Sequence, residues 1–186
     1  SNEPKRLDEQ VAWFEDVMAQ NTCRWKIVTM HHPVHSTAVD RDNPFLRNTL
    51  QPVFDRHEID LVLQGHDHTY GRTLRMRHAH DDEPEHEHTV PAANASTGVS
   101  ARDGEFGTVY VVSVSGPKMY ELDAKPFMKQ ALANTQLYQI VSIDGDVLRY
   151  AAYTATGRLA DRFELHETAE GPNRLVETLD EEPSER

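Results

Sequence analysis

The chain has 186 residues and a mass of 21.2 kDa, the size of one domain or of a large piece of one. Nineteen Lys and Arg against 31 Asp and Glu leave a formal charge of −12, which disfavours a protein whose main work is gripping nucleic acid or an anionic membrane. At 38% apolar the chain can bury a core, no run reaches the ~20 apolar residues of a membrane-spanning helix, and the single cysteine, Cys23, excludes an intrachain disulfide.

Leu7, Val11, Phe14, Val17 and Met18 recur at helical spacing, with Asp8, Glu9, Glu15 and Asp16 on the other faces, so the first element is an amphipathic helix. No signal peptide opens the chain, and Ser1-Asn2 reads as the remnant of a cleaved tag, so localisation is not legible from this end. Trp25 to Met30 is a short apolar strand that stops at His31-His32-Pro33, because proline cannot donate to a sheet ladder. A second helix is expected from Pro44 to about Arg56, with Asn43 as its cap. Ile59 to Gln64 is the next buried strand, broken by Gly65. This helix–strand–helix–strand rhythm belongs to an α/β layer.

After Gly71 the character changes. Thr73 to Arg77 reads as a strand, and nine of the eleven residues from 78 to 88 are His, Asp or Glu. The stretch 78–107 reads as a flexible surface insertion. Thr108 to Val114 resumes as a strand. Leu137 to Ile143 and Val147 to Tyr153 form a hairpin across Asp144-Gly145, and Arg158 to Leu165 follows a turn at Gly157. Residues 3–170 are therefore expected to form one domain part, and 171–186 an acidic tail.

Chemistry concentrates just beyond two of these strands, where α/β sheets collect ligand sites. One cluster is Met30-His31-His32-Pro33-Val34-His35-Ser36; the other is Gln64-Gly65-His66-Asp67-His68-Thr69-Tyr70. Imidazole is the common nitrogen ligand of zinc, iron and manganese-type sites. On a regular strand His66 and His68 would point the same way; in a loop after glycine they can diverge towards two ions. His31, directly after the strand, is expected to point inward as a further ligand. His32 is expected to face solvent or substrate, and His35 is either a substrate contact or a polar loop residue.

Strand-His31-His32-Pro33 followed by strand-Gly65-His66-Asp67-His68-Thr69-Tyr70-Gly71-Arg72, with Val112-Ser113-Val114-Ser115-Gly116-Pro117-Lys118-Met119-Tyr120 further on, resembles the last motifs of the calcineurin-like metallophosphoesterases, and their purple acid phosphatase branch in particular. The resemblance covers residues 7 to 120 well and the terminal hairpins loosely. It implies an α/β fold, the C-terminal half of a β-sandwich flanked by helices, with one sheet mostly complete. It also implies a phosphoester hydrolase (phosphatase or phosphodiesterase) with two metal ions (Fe, Zn or Mn). His31 and His66 would bind one ion and His68 the other, while His32 or His35 would serve catalysis by donating to the substrate or the leaving group. Such ions clamp the phosphate and lower the pKa of a bound water that attacks phosphorus.

The family's Asp-x-His, Gly-Asp-x-x-Asp and Gly-Asn-His-Asp/Glu motifs do not occur upstream of His31. The implied partners are therefore a phosphoester substrate, a missing N-terminal half, and a second copy covering an apolar sheet face that the absent half would leave exposed. The chain by itself is expected to be weakly active or inert.

Competing readings are a metallo-β-lactamase-like hydrolase, whose pattern would continue to an Asp-His pair where Thr69-Tyr70 stand; a non-catalytic module with a vestigial site; and a metal store built on His78, His80, His86 and His88, which otherwise form a solvated insertion. Trp13, Phe14, Trp25 and Phe54 are expected in the core, Cys23 half-buried, Asp60 at a strand edge and Tyr70 packed near the site. Arg72 has two readings, a phosphate contact or a surface salt bridge.

Overall fold

Apolar residues on alternate positions of two adjacent strands decide the architecture. In the computed structural model, which describes residues 4–78, 89–90, 99–102, 107–169 and 171–177, the chain begins with α1 (Pro4–Ala19), β1 (Ile27–Met30), α2 (Pro44–Arg56) and β2 (Leu61–Gln64). It continues with β3 (Tyr70–His78), β4 (Thr89–Val90), β5 (Val99–Arg102), β6 (Thr108–Val112) and β7 (Met128–Leu132). It closes with β8 (Leu137–Asp144), β9 (Val147–Thr154), β10 (Leu159–His166) and β11 (Arg174–Glu177).

Seven strands form one sheet in the order β1-β2-β6-β3-β5-β4, with β7 pairing to β3. The ladders β1–β2 and β2–β6 are parallel, and β3 runs antiparallel to β6. Because β6 is central and buried at every residue, its two faces serve two cores. Val62 and Tyr110 pack with Leu7, Val34, Leu46, Leu50 and Phe54 against the helices. Leu61, Val109 and Val111 pack the other way, onto Leu148, Tyr150, Phe163 and Leu165. That is why both strands read as continuous apolar runs rather than as an alternation.

The second face exists because the terminal hairpins build a sheet of their own, in the order β11-β10-β9-β8. Gly145, at φ +53°, makes the two-residue turn between β8 and β9, which pair from Leu137↔Thr154 to Asp144↔Val147. The fold is the α/β arrangement expected, with one large sheet and helices on its outer face. One expectation is corrected. The inner face of the large sheet is not left bare, because the four-stranded sheet covers it.

Other details also differ. Arg174–Glu177 forms β11 against β10, so the sheet extends into the stretch read as an acidic tail. β4 and β5 fall inside the 78–107 insertion and pair at the sheet's far edge; the histidines at 80, 86 and 88 lie outside the described residues. β7 has no clear alternation to mark it in the sequence and is held by pairing with β3. Trp13 is 65% exposed rather than in the core, and Cys23 is exposed. Trp25 is half-buried and donates its indole N–H to the Gly145 carbonyl at 3.0 Å. Asp60 is buried, accepting from the Lys26 amide and from Asn173 Nδ2.

Candidate metal centre

The parallel register Met30↔Gln64 ends β1 and β2 side by side, which brings His31 next to Gly65; the Gly65 amide donates to the His31 carbonyl at 3.0 Å. Gln64 then anchors the loop after β1, its Oε1 accepting the Val34 amide at 2.7 Å. Asn43 Nδ2 donates to the Pro33 carbonyl at 2.8 Å, so the residue expected as the cap of α2 ties down the turn instead; its side chain makes no cap bond.

The segment after Gly65 is bent sharply. His66 and His68 both take left-handed φ, +70° and +49°, a conformation costing non-glycine residues roughly 1–3 kcal/mol each and held only where its surroundings enforce it. The enforcing group is Asp67 between them. Its carboxylate is fully buried, accepts the Ser36 hydroxyl, and lies 3.5 Å from Arg41 Nη1. With Asp67 turned inward, the two imidazoles diverge as the glycine allowed. His66 Nδ1 lies 3.2 Å from His31 Nε2, and its ring centre is 4.3 Å from that of His32. His68 goes the other way: its Nδ1 bonds the Lys118 carbonyl at 3.0 Å, and its ring stacks on Tyr120 at 4.6 Å.

His31, His32 and His66 can each place one ring nitrogen within 4.8 Å of the other two. Desolvation first, then the neighbouring imidazoles, hold His32 and His66 below the usual histidine range, so both present neutral rings with a free lone pair. With His31, three imidazole donors suit one zinc- or iron-type ion. They do not suit two: among the described residues no carboxylate joins the cluster, and His68 stands apart from it.

The candidates from the sequence are thus partly regrouped. His31 and His66 come together. His32, expected at the solvent side, is half-buried within the cluster, whereas His31 is the exposed member. His35 is corrected outright as a substrate contact. It is buried between the rings of Tyr110 and Phe127, and burial lowers its pKa to about 3. Tyr70 and Arg72 do not face the site either: both point into the space between the sheets and bond Asp161. Sequence reasoning passed over Asp67, Ser36, Arg41 and Tyr120; an aspartate flanked by two histidines was the one signal available.

Residues 1–70 match the model of the calcineurin-like phosphoesterase family. Purple acid phosphatase 17 of Arabidopsis thaliana is 26% identical over 139 residues, covering 73% of this chain and 37% of that protein. Purple acid phosphatase 4 of the same plant is 31% identical over 51 residues, 27% of this chain and 15% of that protein. The solved purple acid phosphatase PPD1 from yellow lupin (Lupinus luteus) seeds superposes with a TM-score of 0.63 at 17% identity, over 87% of this chain and 28% of that one. Over residues 1–70 the chain is thus similar to the calcineurin-like phosphoesterases. An uncharacterized protein of Mycobacterium tuberculosis is 35% identical over 77 residues, 38% of this chain and 15% of that protein. The chain thus spans well under half the length of these relatives. Its fold is that of the metallophosphoesterases.

Proposed function

We propose that this chain contributes the histidine side of a metal-dependent phosphoester hydrolase centre. The observation that carries the proposal is the convergence of His31, His32 and His66 at the ends of two parallel strands, within a chain that matches the calcineurin-like phosphoesterases. A divalent ion held there would supply Lewis-acid polarisation of a phosphoryl oxygen. The chain's own part is to hold three imidazoles in place. The Gln64–Val34 and Gly65–His31 bonds fix the two strand ends, and buried Asp67 fixes the turn between His66 and His68.

His68, facing outward beside Lys118, is the group available to a second ion. In the two-ion reading, the remaining ligands, carboxylates above all, come from an upstream half bearing the motifs that do not precede His31. The open edge of β1, which among the described strands pairs with β2 alone, is where that half would add its strands. The three-imidazole cluster without a carboxylate favours one alternative, a metal-binding module that performs no turnover.

The test is p-nitrophenyl phosphate hydrolysis by the chain, stripped of metal and reloaded with manganese, zinc or iron, beside His66→Ala. Little or no turnover alone, with activity recovered on adding the upstream half, is expected. Turnover by the chain alone, abolished in His66→Ala, would show that the centre is complete without that half. Zinc bound tightly with no turnover in any combination would leave the metal-binding module.

A further inference from the structure

The imidazoles gather at one end of the parallel strands; the opposite end holds a cleft of about 450 Å³, a size that suits a small organic molecule. Lys26 and Asp60, which precede β1 and β2, line it beside Thr108 at the start of β6. Arg75 of β3 and Asn173, just before β11, complete its wall. Strands of four residues set this cleft about 13 Å from the histidines. It is a separate place from the candidate metal centre.

Arg75 decides what the cleft can hold. The residue is 5% exposed, and among the described residues its guanidinium bonds carbonyl oxygens alone. Nε donates to Gly107 at 2.9 Å, and Nη1 donates to Asn173. Carbonyls satisfy the protons but not the charge, and a buried cation without a counter-charge is strongly unfavourable. Burial accordingly holds its pKa below the usual arginine range, with the field of Asp60 opposing only in part. The other charges lining the cleft are engaged. Arg24 pairs with Glu167, and Lys26 Nζ lies 3.8 Å from Glu58 and donates to the His57 carbonyl at 2.9 Å. Asp55 accepts the His78 amide at 2.6 Å, and Arg77 has a partner as well.

The wall around Arg75 is firmly built. Gly107 takes φ +110°, and a Cβ there would lie 2.3 Å from the Met76 carbonyl oxygen, so Gly107 is pinned against β3. Asn173 stands between the two buried charges: its carbonyl accepts from Arg75 while its side-chain amide donates to Asp60. Nε and Nη1 are thereby fixed, and Nη2 makes no bond among the described residues. A carboxylate or phosphate group meets a guanidinium with well-matched oxygens and brings the missing negative charge.

We infer that this cleft binds a small organic anion, whose carboxylate or phosphate group pairs with Arg75 and has the Lys26 ammonium as a second, weaker contact. The site uses none of the histidines, so it stands or falls independently of the hydrolase reading.

The experiment follows the backbone amide resonances of the metal-free full chain during titration with acetate and, separately, with orthophosphate. Chloride keeps the ionic strength fixed. Saturable shifts centred on Gly107 and Asn173 are expected with at least one of the two probes. Saturation by acetate alone identifies a carboxylate ligand, and saturation by orthophosphate alone a phosphate ligand. Arg75→Gln should weaken binding at least about tenfold, as for loss of a charge-assisted hydrogen bond. Lys26→Gln should weaken it about threefold, the scale of a partly screened charge, and serves if Arg75→Gln does not fold. His66→Ala should bind as the parent does. Linear, unsaturable shifts with both probes, or unchanged affinity in the folded Arg75 or Lys26 variant, would overturn the inference. So would a loss in His66→Ala equal to that in the Arg75 or Lys26 variant, because the anion would then sit at the imidazoles.

Discussion

Arg72 of β3 and Asp161 of β10 close a two-bond fork across the space between the sheets: Nε donates to Oδ2 at 2.8 Å and Nη2 to Oδ1 at 3.0 Å. Both side chains are buried, and Tyr70 adds its hydroxyl to the same carboxylate at 2.7 Å. Glu177 of β11 meets the other side of the guanidinium at 3.0 Å. Pairing of this kind specifies how the two sheets sit without adding much net stability, because taking both charges out of water costs about as much as their attraction returns. Breaking half of it is another matter. Asp161→Ala should destabilise the chain by roughly 3–5 kcal/mol, read by urea unfolding, whereas Asp161→Leu combined with Arg72→Met should regain most of the loss. Additive losses in the double variant would show that the two residues act separately.

Gly71 of β3 packs close against Thr37 in the loop after β1. A Cβ added there would lie 2.2 Å from Thr37 Cγ2, a separation real atoms do not adopt. Thr37 Oγ1 is also bonded to Thr69 Oγ1 at 2.5 Å, so the loop has little freedom to withdraw. Gly71→Ala should cost about 1–3 kcal/mol, the range for overpacking. Thr37→Ser deletes the clashing methyl but keeps the hydroxyl, and should restore stability in combination. A double variant as unstable as Gly71→Ala alone would place the strain elsewhere.

His35 gives the fold a pH dependence whose sign is fixed. Its pKa is lowered from 6.5 to about 3 by burial, so the unfolded chain binds the proton that the folded chain refuses. Stability from this group is therefore fully present above about pH 6.5 and falls as the pH drops towards 3. From those two values the loss between pH 7 and pH 5 is about 2 kcal/mol. Unfolding measured across this range should show a flatter profile for His35→Gln than for the parent. Parallel profiles would mean that His35 takes up its proton as readily in the folded chain as in the unfolded one.

Removal of a ligand should separate the two histidines of the Gly65-His66-Asp67-His68 turn. His66→Ala should weaken zinc binding by more than the 10–100-fold that follows loss of a mere supporting contact, and His32→Ala should do likewise. His68→Ala should leave the first zinc equivalent nearly unchanged, since its imidazole faces Lys118 and Tyr120. Equal losses on removing His66 and His68 would mean that both reach one ion.

The local elements, and the strand ends where the chemistry gathers, are legible in the residues alone. Pro44 and Arg56 bound α2 as expected, because a proline fixes the first helical turn. The hairpin of β8 and β9 follows from a glycine, Gly145, able to take positive φ between the two strands. Histidines placed directly after apolar strands pointed to the site before any contact was known. Which of them meet depends on contacts between distant parts of the chain. Met30↔Gln64 pairing sets His31 beside Gly65, and burial of Asp67 sends His66 and His68 in opposite directions. Burial also removes His35 behind Tyr110, and turns Arg72 away from the site towards Asp161. Sequence spacing carries the direction of a side chain only along a regular helix or strand. In loops such as these, direction is set by long-range partners, Ser36 for Asp67 and Lys118 for His68, which no local pattern encodes.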